Sequence, residues 1–65
     1  MIDMNRNQFP DRYEVRVGLA RVQVEGRSPN EAVEQARRKL SLDMPRLYDV
    51  IYGLAQERFE VERLS

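Results

Sequence analysis

The chain has 65 residues, with eleven basic side chains balanced by eleven acidic ones and no Cys, His or Trp. That length holds one small domain with a modest core, and the missing Cys and His exclude disulfide staples, imidazole or thiolate catalysis, and ordinary zinc or copper sites. A formal net charge of zero supplies no overall field to draw a polyanion from solution, so any nucleic-acid role needs strong segregation of charge.

Residues 1–11 mix polar side chains with isolated Met, Ile and Phe, show no period and run into Phe-Pro-Asp. They are expected to form a flexible N-terminal arm ahead of a single domain over residues 12–65. The opening MIDMNRNQFPDRYEV has no apolar run suited to a signal peptide or a membrane span. With no Cys in the chain, the expectation is a cytoplasmic protein with no membrane partner.

Order begins at RYEVRVGLARVQVEG, residues 12–26. Tyr13, Val15 and Val17 alternate with charged residues, and so do Val22 and Val24, but the two sets differ in parity. One straight strand would therefore put one set on the wrong face. A hairpin with Gly18-Leu19 at the centre of a type II′ turn removes the conflict, pairing Val17 with Ala20, Val15 with Val22 and Tyr13 with Val24. Its other face sets Arg12 against Glu25, Glu14 against Gln23 and Arg16 against Arg21. The last is a like-charge pair that costs a little unless an anion or carboxylate bridges it. A single bent strand bulged at Gly18 is the alternative.

Gly26-Arg27-Ser28-Pro29 punctuates the start of a helix. Ser28 with Glu31 reads as a capping box, and Pro29 occupies the first helical position, where its missing N–H costs nothing. Anion binding at the same N–H groups is the competing reading, disfavoured by the two nearby Glu residues and the absence of a Gly-rich loop. Val33, Ala36 and Leu40, with Ala32 beside them, form the buried stripe. Glu34 and Arg38 are spaced as an i,i+4 pair, and Arg37, Arg38 and Lys39 complement the negative helix end.

LDMPRLYDVIYGL, residues 42–54, predicts a second helix capped by Asp43. Pro45 lies in its first turn, and Leu47, Val50, Ile51 and Leu54 form its stripe. Gly53 is expected to end it in a left-handed conformation. ERFEVERLS then alternates Phe59 and Val61 against charged residues as a strand. The fold expected is α+β, a single small two-layer domain of order ββααβ. Its three-stranded antiparallel sheet has order 2-1-3, with both helices on one face.

No catalytic, metal or cofactor site is assigned. Lys39 is the sole Lys and lies in a solvated basic run, while Glu60 and Glu62 share a strand face without a cleft around them. Ten of the eleven basic residues are Arg, which suits bidentate recognition of phosphate or carboxylate and arises equally from a codon preference. Tyr48 and Tyr52, i,i+4 on the second helix, with Leu42 and Met44 just before them, are the candidate protein interface. Arg16, Arg21, Arg37, Arg38 and Lys39 are the candidate nucleic-acid contacts. The outermost strands offer unpaired edges that another subunit could cover, with Arg21, Glu25, Arg58 and Glu62 either guarding those edges or setting register across them.

The run VQVEGRSPNEAVEQARRKL, residues 22–40, resembles the strand, Gly-x-Ser/Thr turn and Glu-Ala helix of HicB-like antitoxin domains, Jag-type N-terminal domains and dodecins. RFEVERL is similar to the strand that follows the dodecin helix. The HicB resemblance implies toxin binding through oligomers, the Jag resemblance a link to RNA, and the dodecin resemblance a small-ligand carrier. The chain lacks a Trp to stack a flavin, and no signature residue of the other two families can be placed in it. No functional site is therefore carried over. The expected function is that of a non-catalytic, self-associating protein-interaction module, with RNA binding through the Arg-rich surface as the alternative and ligand carriage third.

Overall fold

The computed structural model describes residues 10–64. The arm expected over residues 1–11 lies outside this range as far as residue 9, and its last residue, Asp11, already belongs to the first strand. β1 (Asp11–Val17) and β2 (Ala20–Gly26) form an antiparallel hairpin, with Val17 opposite Ala20, Val15 opposite Val22 and Tyr13 opposite Val24. Gly18 has φ of 59°, and no other described residue has positive φ. This is the type II′ pattern, in which only the first central residue is left-handed. The turn wins over a bulge because it puts every apolar side chain of both strands on one face.

α1 (Pro29–Asp43) starts as the sequence indicates, with the Glu31 N–H donating to Ser28 Oγ at 3.2 Å. The return bond of the box is displaced by one residue, because Glu31 Oε1 accepts from the Arg27 N–H at 2.7 Å. Strand and helix approach closely here: a Cβ on Gly26 would lie 3.1 Å from the Ala32 amide nitrogen. Ala32, Val33, Ala36 and Leu40 are buried on the sheet side of the helix.

The second helix departs from expectation in four ways. Asp43 is the last residue of α1 and caps nothing, since the Met44 N–H bonds back to the Leu40 carbonyl at 2.8 Å and prolongs the first helix. Arg37, Arg38 and Lys39 consequently lie before the final turn, which holds no basic residue, and Glu34 and Arg38 form no ion pair. Pro45–Leu47 then make a 3-10 turn, and only Tyr48–Gly53 are α-helical (α2). The change of helical pitch rotates Leu47 off the expected stripe. Ile51 is buried and Leu54 half-buried, whereas Leu47 and Val50 face outward. Gly53 does not adopt positive φ, and the Leu54 N–H closes the helix on the Ile51 carbonyl.

A short 3-10 turn at Gln56–Arg58 leads into β3 (Glu60–Arg63), which pairs antiparallel with β1, Val15 opposite Val61 and Arg16 opposite Glu60. The sheet order is β2-β1-β3. The core lies between this sheet and α1. Val15 is 1 % exposed at its centre, surrounded by Tyr13, Val24, Ala32, Val33, Ala36 and Phe59. The result is the small α+β domain of order ββααβ expected from the sequence. Among the described residues no helix is long and apolar enough to cross a membrane.

Candidate protein interface and the placement of the basic side chains

The end of α1, the 3-10 turn and α2 make a corner that the sheet does not cover. Leu42 (75 % exposed), Tyr48 (54 %), Val50 (57 %) and Tyr52 (41 %) project from it, and Met44 is half-buried. The Tyr48 and Tyr52 rings stand one helical turn apart with centroids 4.7 Å apart and planes tilted by 34°, so they form one stiff amphipathic surface. Between this corner and the hairpin turn runs an apolar groove of about 310 Å³, lined by Val17, Gly18 and Ala20 on one side and Leu40, Met44, Leu47, Val50 and Leu54 on the other. Leu19, at the turn, is fully exposed. Of the expected interface residues Met44 lines the groove, while Leu42, Tyr48 and Tyr52 lie outside it. Leu47 and Val50 are apolar surface that the periodicity had assigned to the core.

The five basic candidates are split between the two layers. Arg16 and Arg21 sit opposite each other on the open face of the sheet. Glu14 answers the like-charge pair: its Oε1 lies 3.1 Å from Arg16 and its Oε2 3.6 Å from Arg21. Arg16 also reaches Glu62 at 3.1 Å and Glu60 at 3.6 Å. The bond to Glu62 does most to hold its guanidinium above the ordinary arginine range; loss of hydration opposes it, and the fields of Glu14, Glu62 and Glu60 add to it. Glu60 and Glu62 thus act as counter-charges for Arg16.

Arg37, Arg38 and Lys39 belong to α1, across the sheet from the first two. Arg37 points inward, its guanidinium donating to the Ile51 carbonyl at 2.8 Å and the Leu54 carbonyl at 2.9 Å while lying 4.6 Å from the centroid of the Phe59 ring. It therefore caps the C-terminus of α2 and ties both helices to the residue that enters β3. Lys39 donates to the Gln23 carbonyl at 3.0 Å on the outer edge of β2. Arg38 is exposed to solvent. The geometry does not bring the five together.

A second, more polar groove of about 480 Å³ follows the β2 edge between Gln23, Val24 and Glu25 on one side and Gln35 and Lys39 on the other, with Arg12 at its rim. Among the described residues no cluster of His, Cys, Asp and Glu is placed to hold a metal ion. Comparison of the chain with protein-family models, with curated proteins and with solved structures returned no match.

Proposed function

We propose that the chain is a non-catalytic protein-interaction module that self-associates through the α1–α2 corner. The observation that carries this reading is the set of exposed apolar side chains at this corner, Leu42 and the stacked Tyr48 and Tyr52 outside an apolar groove and Val50 lining it, in a chain whose core is too small to cover them. Tyr supplies large, stiff contact area with a polar tip, the type of side chain enriched where proteins meet. Nucleic-acid binding is less well supported, because Arg16 is neutralised by Glu14, Glu60 and Glu62, Arg21 shares Glu14 with it, and Arg37 is committed to backbone carbonyls.

Sedimentation equilibrium over a wide concentration range tests the reading. The wild-type chain is expected to associate, and Leu42→Glu with Tyr48→Glu to lose the association made through the corner, with an unchanged far-ultraviolet circular dichroism spectrum. A strictly monomeric wild type at high concentration overturns the proposal, as does a salt-sensitive complex with RNA in place of self-association.

A further inference from the structure

The outer edge of β2 has a self-complementary pattern of charge. In a two-residue hairpin the positions flanking the turn exchange both backbone hydrogen bonds. Val17 and Ala20 are such a pair, so Val22 and Val24 direct their N–H and C=O groups at β1, and Arg21, Gln23 and Glu25 direct theirs outward. The Lys39 ammonium at the Gln23 carbonyl marks that outward direction. The opposite edge is shorter: β3 has four residues against seven in β2.

We infer that β2 pairs antiparallel with β2 of a second copy about a two-fold axis at Gln23, joining two three-stranded sheets into one. This rests on the reading that the chain self-associates and adds to the corner a second contact between copies, on a different surface. In this register Arg21 meets Glu25 of the other copy, Gln23 meets Gln23, and Glu25 meets Arg21. Every outward N–H and C=O of these residues gains a partner, and an Arg–Glu pair forms at both ends. On the inner face Val22 falls opposite Val24 of the other copy, extending the apolar side of the sheet.

The alternatives are poorer. Centring the axis on Arg21 sets two arginines against each other, and centring it on Glu25 sets two carboxylates together; like charges directly opposite are destabilising. Intermediate registers leave one of the three edge residues without an edge-residue partner. Glu25 forms no ion pair within its own subunit among the described residues, and the side chain of Arg21 is 73 % exposed with a single long contact to Glu14. Both are thus open to a partner. The groove of about 480 Å³ beside the edge gives an incoming strand access. Lys39 occupies only the Gln23 carbonyl, through a flexible tether, and is displaced when the other copy's N–H takes its place.

The test is sedimentation equilibrium of the full chain and four variants. Gln23→Pro deletes an outward N–H and leaves the β1–β2 ladder intact, as an edge position allows; it is expected to abolish association through this edge. Arg21→Glu is expected to weaken dimerisation about tenfold or more, because like charges then face each other at both ends of the symmetric contact. Adding Glu25→Arg to it is expected to restore dimerisation, which a merely structural effect of either substitution would not do. Lys39→Met frees the carbonyl and tightens the dimer. Association unchanged in Gln23→Pro, or a double swap no tighter than Arg21→Glu alone, overturns the inference. If association persists in Gln23→Pro yet is lost in the Leu42 and Tyr48 variants, the corner reading stands and the edge reading falls. The converse pattern retains the edge and removes the corner as the contact between copies.

Discussion

Replacing Arg37 by Met removes a two-pronged cap and keeps most of the side chain's length. The lost contacts are two hydrogen bonds from a charged donor, to the carbonyls of Ile51 and Leu54, and the approach of the guanidinium to the Phe59 ring. Bonds to a charged group contribute about 1.5–3 kcal/mol each and an exposed cation–π contact about 0.5–1 kcal/mol. Arg37 is half-buried, so water partly replaces it at both carbonyls and the low end of each range applies. The expected loss is about 3–4 kcal/mol, against a total stability of about 3–10 kcal/mol for a domain this size. Urea unfolding followed by circular dichroism measures the loss, and hydrogen exchange at the α2 amides shows whether that helix loosens first. Arg37→Lys retains a single point donor, which reaches one carbonyl and not both, and is expected to recover about half of the loss. A Met variant within about 0.5 kcal/mol of wild type, the range of an ordinary surface substitution, with unaltered α2 protection, would refute the capping role.

The glycines separate two backbone states by measurement. At Gly18, with φ of 59° and nothing within 4 Å of an added Cβ, alanine is expected to destabilise by about 1–2 kcal/mol through backbone strain alone. At Gly53, helical and equally open, it is expected to stabilise by up to about 1 kcal/mol; destabilisation at both positions would return Gly53 to the left-handed cap. Ser41 is 8 % exposed and its hydroxyl has no hydrogen-bond partner among the described residues, so Ser41→Ala is expected to raise the urea midpoint by an amount equivalent to about 0.5–1 kcal/mol. A lowered midpoint would mean that the hydroxyl is satisfied.

The hairpin register could be read from the sequence because its side-chain period is two and only one face is buried. A slip by one residue would have put Val15 and Val22 into water, so the parity change at Gly18 admitted few solutions. β3 was legible for the same reason, through Phe59 and Val61. The path from residue 41 to residue 58 was not, because apolar spacing marks a face only while the pitch stays constant. Pro45 lies inside a 3-10 turn, and the change from that turn to α2 moves Leu47 and Val50 outward without altering the pattern of letters. The roles of Arg37 and Lys39 were illegible for a different reason: their partners are the carbonyls of Ile51, Leu54 and Gln23, and every residue has a carbonyl. Bonds from side chain to distant backbone leave no trace in residue type, so both residues read from the sequence as a solvated basic run.

The same distinction bears on the excess of Arg over Lys, which composition alone attributes equally to recognition or to codon usage. Arg37 needs a fork of donors, because its two acceptors lie on separate residues, while its guanidinium carbon sits over the Phe59 ring. Arg16 faces three carboxylates at once on the open sheet, where a fan of donors again answers several acceptors. Arg38, exposed on α1, has no such geometry, and Lys would serve there. The arginines are thus of two kinds. Those that hold the fold together are already saturated within the chain, which leaves the α1–α2 corner and the β2 edge as the surfaces on which the proposed self-association rests.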